Sequence, residues 1–429
     1  MSRYLLCATP AGGHVHPVLG VASGLRERGH EVTVLTGSRF RSIVEDAGID
    51  FRSSSGAADI NDRDPDSFLP DRDRYRGLGL ARYQLRRMFI DPIPAQARDV
   101  AAAVHDLDPD AVVVDSMFLG ALPMLRGPGR MPVIALGVSP VSMPGPDVPP
   151  YNSGLVPAAG ALGRVRNRTL NAVTAMAFRS VNRAADDAVR SVAGHGLDGG
   201  LFGIARHYDR YLQLGPAEFE YPRRDLPPGF RFVGSLGLDS APARVALPRW
   251  WSELPDRRVV HVSQGAAANA DLATLIRPTI DALADSDLLV VVTTGGEPVE
   301  RLGSLPPNVR AAEFIPHAAL FPCTDLFVTN GGYGGVTTAL AHGVPVLVAP
   351  GGEDKREVAA HVRYFGVGMD LCTERPAVEQ IRAAVRRILD EPEHRAAART
   401  LALSCARYRP HDAIAEELTA AVADRQGTT

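Results

Sequence analysis

The chain has 429 residues, 22% of them charged, with 46 basic against 49 acidic side chains and a formal net charge of −3. At roughly 100–200 residues per domain this length accommodates two or three cores, and the ordinary globular composition excludes a disordered, collagenous or coiled-coil chain. Balanced charge excludes a general attraction to nucleic acid or anionic membrane, and no apolar run approaches the roughly 18 residues of a membrane span.

From the start, Met1-Ser2-Arg3 runs directly into Tyr4-Leu5-Leu6-Cys7 without a secretory signal, so a cytoplasmic protein is expected. Strands are expected at residues 4–9, 31–36, 111–115 and 133–138. Between the first two, Val18, Leu19, Val21, Ala22 and Leu25 recur at helical spacing, and Gly29 marks the helix end. Strand, helix, strand in so short a span is a βαβ unit and implies a parallel sheet. Residues 43–99 are irregular and locally charged, and with 140–157 they read as the variable wall of a site. The composition from 215 to 247, rich in proline, glycine and charge, is that of a linker.

The plan then repeats. Strands are expected at 259–263, 288–293, 309–314, 326–329 and 344–349, with a helix at 272–284 and later helices at 378–389 and about 394–424, interrupted near Pro410. Runs such as Val112-Val113-Val114 are apolar on both faces, as a sheet covered on each side requires. The expected architecture is α/β, two Rossmann-like doubly wound domains facing across a cleft. They span 1–215 and 246–395, with a linker at 216–245 and terminal helices at 396–429 packing back on the first domain. Four scattered cysteines (Cys7, Cys323, Cys372, Cys405) form no CxxC pair, which argues against a disulfide framework or zinc cluster.

Ligands of doubly wound sheets bind outside the carboxyl ends of the strands. Four clusters fall there. Thr9-Pro10-Ala11-Gly12-Gly13-His14-Val15-His16-Pro17 joins the first strand to the first helix, with Pro17 suited to the first helical position. His14 then lies near a helix N-terminus, where the dipole disfavours imidazolium and leaves a neutral base. A simple helix-capping role for His14 or His16 reads equally well. Asp115 ends the Val-Val-Val run; alone it would be a helix N-cap, but the topology can bring it beside His14 to orient the imidazole. No G-x-S-x-G elbow supplies a nucleophile, so the proton would come from a bound hydroxyl. The third cluster, Val328 to Leu340 with four glycines, is a strand, a turn and a helix whose bare N–H groups could cradle a diphosphate. The fourth, Ala349-Pro350-Gly351-Gly352-Glu353-Asp354-Lys355, carries the chain's only lysine beside that cradle, and otherwise reads as a solvated turn.

Together these stretches resemble the inverting nucleotide-sugar glycosyltransferases of the GT-B architecture, in the bacterial antibiotic and macrolide branch related to UDP-glycosyltransferases. The resemblance covers nearly the whole chain. It rests on His14 with Pro17, Asp115, Phe314-Ile315-Pro316-His317, Asn330 to Leu340, Gly343-Val344-Pro345, Pro350 and Asp354-Lys355. It implies His14 as the base and Asp115 as its support. It implies donor contacts at Gly13, Gly265, Phe314 (stacking the nucleotide base), Ile315, His317, Asn330, Gly331, Gly332, Gly335, Asp354 and Lys355. Asn330 replaces a histidine, so that an amide would donate beside the diphosphate; Gly335 and Ala266 replace hydroxyl residues, Thr338 a glutamate and Lys355 a glutamine. The loss of that glutamate leaves UDP- or TDP-sugar open, with a lean to TDP.

The resemblance implies transfer of a sugar to a hydroxyl of a largely apolar natural-product aglycone, with inversion, no metal and no cofactor beyond the co-substrate. Acceptor contacts are expected from among Phe68, Tyr83, Met88, Phe89, Met117, Phe118, Met143 and Tyr151, although any one of them taken singly reads more readily as plain packing. The triplets Asp62-Arg63-Asp64 and Asp71-Arg72-Asp73 mimic a metal-binding Asp-x-Asp but read as solvent-facing. Expected partners are the donor and a small acceptor, with neither nucleic acid nor membrane, and a homodimer is left open. The alternatives are a sugar-nucleotide epimerase of the same fold and a catalytically silent partner of another transferase.

Overall fold

The computed structural model describes residues 1–126, 130–197, 199–238, 247–265, 271–352 and 354–426. The first sheet holds β1 (Arg3–Cys7), β2 (Glu31–Thr36), β3 (Asp50–Ser53), β4 (Ala111–Asp115), β5 (Val133–Gly137), β6 (Arg210–Gln213) and β7 (Phe230–Phe232). All are parallel, in the order β3-β2-β1-β4-β5-β6-β7. Side chains of a strand alternate between faces, and here each face meets its own core. Leu5, Cys7, Val112 and Val114 pack on one side, where helices α2 (Ile93–Leu107) and α4 (Arg179–Ala193) contribute Val100, Ala103, Val181 and Val189; α3 (Gly160–Ala177) precedes α4. Tyr4, Leu6, Ala111 and Val113 pack on the other with Val15, Val18, Val21 and Leu25 of α1 (Gly12–Glu27).

The second sheet holds β8 (Val259–Ser263), β9 (Leu289–Thr293), β10 (Val309–Ala312), β11 (Leu326–Thr329), β12 (Val346–Val348) and β13 (Gly368–Asp370). Its order is β10-β9-β8-β11-β12-β13, again parallel throughout. The covering helices are α5 (Ile276–Leu283), α6 (Tyr333–Ala341), α7 (Lys355–Phe365), α8 (Val378–Asp390) and α9 (Pro392–Cys405). Helix α10 (Pro410–Gln426) leaves this lobe: Ile414, Leu418 and Ala421 complete the α1 side of the first core.

Several sequence expectations change. The stretch 216–245 contributes β7, whose Phe230 pairs with Tyr211, so the first sheet continues into what read as linker. Three residues flanked by Pro227, Pro228 and Gly229 are too few to show an alternation. Helix α2 begins inside the stretch read as irregular, because Pro92 and Pro94 hide the period of Ile93, Val100 and Ala103. Pro17 lies within α1 rather than at its first position. The carbonyl that loses its partner to the proline is that of Gly13, which is exposed and can be hydrated. Among the described residues no helix is long and apolar enough to cross a membrane.

The strand order reverses between β1 and β4 and between β8 and β11, the two positions where such sheets take ligands. Loops from both carboxyl edges touch. The Tyr333 hydroxyl accepts from Gln213 Nε2 at 3.3 Å, and the Arg63 guanidinium lies 3.2 Å from where a Cβ on Gly296 would be.

Candidate active site

Register places the first site. Cys7 pairs with Val114, so the carboxylate of Asp115 emerges beside Ala8 and Thr9 as the chain leaves β1. A fully buried carboxylate is costly unless hydrogen-bonded, and Asp115 is satisfied on both oxygens. Thr9 N donates to Oδ2 at 2.5 Å, Met117 N to Oδ1 at 2.8 Å, and His14 Nδ1 lies 2.7 Å from Oδ1. Burial pushes the Asp115 carboxyl up, but the His14 charge, its hydrogen bond and the two backbone donors together hold it below the usual carboxylate range. A carboxylate bonded at Nδ1 fixes that nitrogen as the protonated one and puts the basic lone pair on Nε2. His14 sits in the first turn of α1 with its side chain 19% exposed, so the ring is anchored at one nitrogen and accessible from outside.

Asp62 fixes the same turn from the other side. Its carboxylate accepts from Gly12 N at 2.8 Å and pairs with Arg39. Its side chain is 7% exposed, so this member of the Asp-Arg-Asp triplets is turned inward, against expectation, because the helix start and an arginine both claim it.

The expected acceptor residues divide. Phe89 is half-buried with its ring 5.9 Å from that of His14, and Met117 is half-buried next to Asp115. Phe68, Met88 and Tyr83 are half-buried on the preceding segment; Tyr83 stacks on Tyr75, and its hydroxyl accepts from Asp71 N. Phe118 and Met143 do not face an opening. Both are buried in the first core, since the chain turns inward after Asp115 and again after Val141.

In the second lobe the loops after β8 and β11 meet because Ser263 pairs with Thr329. Asn330 Nδ2 donates to the Gln264 carbonyl at 2.5 Å, while its Oδ1 has no hydrogen-bond partner among the described residues. One amide N–H is thus committed to the lobe's own backbone, so the expected role as a donor toward a diphosphate is reduced. Gly331 has φ +94, and a Cβ there would lie 2.9 Å from Val348 Cγ1 and 3.2 Å from the Lys355 carbonyl; only glycine fits. Gly332 caps α6, with Gly335 in its first turn over the His317 ring. Burial among aromatic rings pushes the His317 imidazole down to about 4, so it is neutral at pH 7. The Phe314 ring is 65% exposed, whereas Ile315 is buried in the core beneath it. Asp354 caps α7 and Lys355 begins it, passing Gly331 and Gly351. Thr338 is buried, donating to the Gly334 carbonyl at 2.7 Å and lying 3.3 Å from Ser235 Oγ. Gly13 and Gly265 are exposed at their turns. Ala266 and Glu353 lie outside the described residues.

Three residues that organise the site were not legible. Asp62 reads as part of a charged loop, Tyr333 as one more residue of a glycine turn, and Gln264 as a strand end. Gln264 Oε1 in fact accepts from Leu275 N and Ile276 N, capping α5. A polar residue between the end of an apolar strand and the start of an apolar helix was the available signal for Gln264; nothing local marked the others.

Comparison with known proteins identifies the family and agrees with the fold. The family model for the C-terminal domain of erythromycin biosynthesis protein CIII-like proteins matches residues 277–420, and one for the glycosyl transferase 4-like domain matches 12–194. The chain is 42% identical over 397 residues to 4'-demethylrebeccamycin synthase of Lentzea aerocolonigenes, covering 92% of this chain and 93% of that one. It is 35% identical to UDP-glycosyltransferase 2 of Phaeomoniella chlamydospora, covering 91% and 89%. The glycosyltransferase of kitacinnamycin has the same fold at a TM-score of 0.70 and 22% identity, covering 97% and 98%. The chain belongs to the UDP-glycosyltransferase-like enzymes of the GT-B fold, in their antibiotic branch. Its reaction class is therefore glycosyl transfer of the natural-product type.

Proposed function

We propose that this enzyme transfers a sugar from a nucleoside-diphosphate donor to a hydroxyl of a largely apolar aglycone, with inversion and without a metal ion. The observation that carries this reading is the His14–Asp115 pair, 2.7 Å apart at the β1/β4 switch point with Nε2 as the basic nitrogen. Nε2 takes the acceptor's proton as its oxygen attacks the anomeric carbon. The carboxylate of Asp115 stabilises the imidazolium so formed. The C–O bond to the leaving nucleoside diphosphate breaks on the opposite face, so one displacement inverts the centre. The developing negative charge is met by the N–H groups at the start of α6 and by the Gly331–Gly332 turn, with Asp354 and Lys355 left to the sugar. Phe314, exposed over a buried Ile315, offers a face to the base. Phe89, Met117, Phe68 and Met88 are the apolar wall for the acceptor.

The donor is a UDP- or TDP-sugar. The name of the Phaeomoniella relative supports UDP, whereas the buried, hydroxyl-committed Thr338, in place of an acidic residue, favours TDP. A partner-only protein would have no use for a base held in one tautomer, and an epimerase no use for the wall around His14.

The test is release of nucleoside diphosphate from UDP- and TDP-sugars with and without an apolar hydroxylated acceptor, with the product's anomeric configuration read by NMR. Acceptor-dependent release with inversion is expected. Acceptor-independent conversion of the sugar nucleotide supports the epimerase instead, and a retained configuration rules out direct displacement.

A further inference from the structure

Where the lobes join, three ionisable side chains that the transfer reaction does not use are buried together: Glu220 (5% exposed) on the segment connecting β6 to β7, and Glu357 (3%) and His361 (1%) on α7. His361 Nδ1 lies 2.8 Å from the Glu357 backbone carbonyl, and Nε2 lies 3.0 Å from Glu220 Oε1. A carbonyl only accepts, so Nδ1 carries a proton. Glu220 accepts from Val141 N at 3.0 Å and Tyr221 N at 2.9 Å, as an ionised carboxylate does, so Nε2 must donate to it as well. His361 is therefore an imidazolium, stacked at 3.8 Å on the Tyr221 ring. Burial disfavours its charge, but Glu220 and then Glu357 outweigh that and raise its pKa; the same contacts overcome burial to lower that of Glu220.

Glu357 ties the first lobe to this cluster. Its Oε2 accepts from Asn152 N at 2.6 Å, and its Oε1 lies 3.7 Å from His361 Nδ1. The loop carrying Asn152 is held to α7 a second time, by Arg363 donating to the Gly154 carbonyl at 2.6 Å. The other groups facing the cluster include Asp354, which caps α7, Arg363 and Tyr364 of α7, Tyr151 and Tyr211 of the first lobe, Tyr221 of the connection and Tyr333 of α6. Glu357 lies in the first turn of α7, two residues after Lys355, and His361 one turn on along the same face.

We propose that the Glu220–His361–Glu357 cluster is a positioning device that locks the start of α7 to the first lobe, so that Asp354 and Lys355 present the donor's sugar to His14. The proposal rests on the reading of these two residues as sugar contacts. Its signature is a loss confined to the sugar: the nucleotide's base and diphosphate are met largely by other elements, Phe314 and the Gly331–Gly332 turn. Burial raises the Glu357 carboxyl to about 7, so its charge, and with it the tie to Asn152, weakens as pH falls through that value.

The experiment compares binding of UDP and TDP with binding of UDP-glucose and TDP-glucose by calorimetry, for the full chain and for Glu357→Ala and Glu357→Gln, between pH 6 and 8. In Glu357→Ala, affinity for the diphosphates stays within about twofold while affinity for the sugar nucleotides falls about tenfold, the scale of one lost charge-assisted hydrogen bond. Wild-type affinity for sugar nucleotides falls toward pH 6, and Glu357→Gln, of the same shape, loses that pH response. If the alanine variant does not fold, the Gln variant decides. Equal losses for diphosphate and sugar nucleotide, no loss for either, or a wild-type pH response retained by Glu357→Gln overturns the proposal. Failure of the wild type to bind any of these nucleotides overturns the donor reading itself, a distinct result.

Discussion

Asp115 is a side chain that serves folding and, in the mechanism proposed above, chemistry as well. Its buried charge is tolerated because two backbone N–H groups and His14 surround it, and the same contacts orient the imidazole. Asp115→Asn keeps the shape but places an amide among donors. We expect it to lower stability at pH 7 by about 1–3 kcal/mol and kcat by on the order of 10²-fold or more, read by urea unfolding and by product formation. The pH sign follows from the depressed carboxyl. Its stabilisation is present above the ordinary carboxylate value and is lost as pH falls through the lower, folded value. The wild type therefore loses its advantage over Asp115→Asn on acidification below about pH 4, and a constant difference down to pH 2 contradicts this. His14 and Asp115 were legible because each follows a plainly marked strand. The cluster at Glu220 and His361 was not, since those residues are 141 positions apart and meet only when the lobes dock.

At the scale of elements, the turn between β11 and α6 is set by backbone shape. Gly331 combines a positive φ with Val348 and the Lys355 carbonyl close by, so Gly331→Ala must shift β12 or the start of α7. Expected outcomes are a loss of about 1–3 kcal/mol in stability and a nucleotide affinity lower by at least tenfold, whereas Gly332→Ala, with open space around its Cβ, keeps its stability. Thermal unfolding with and without UDP or TDP reads both. The strands β4, β8, β9 and β11 could be read from sequence because a strand covered on both faces is apolar throughout. The short β3, β6, β7 and β13 could not: they have three or four residues each and carry charges or a glycine. Phe118 and Phe89 were equal candidates for an acceptor wall. Only the turn after Asp115, which sends Phe118 into the core, separates them.

For the whole molecule, the tail acts as a strap. Helix α9 belongs to the second lobe through Ala398, Leu401 and Cys405, and α10 to the first through Ile414 and Leu418. The Arg28–Asp412 and Arg210–Glu417 pairs lie along that crossing. The tail from residue 396 was expected to pack back on the first lobe; α9 instead stays with the second lobe and α10 makes the return, across the break at Pro410 that the sequence already marks. Leu418→Ala, at a fully buried position, should cost about 2–5 kcal/mol and unfold the first lobe at lower urea, with nucleotide still protecting the second. A single transition shifted as one unit contradicts this expectation.

In the proposed mechanism everything turns on His14 as the base. The most direct measurement is kcat of His14→Ala at saturating donor and acceptor, beside its affinity for the nucleoside diphosphate. The expected result is a fall in kcat of about 10²–10⁴ with diphosphate affinity within about twofold, because the ring would meet the acceptor's proton and not the donor's phosphates. Turnover near that of the wild type would contradict it.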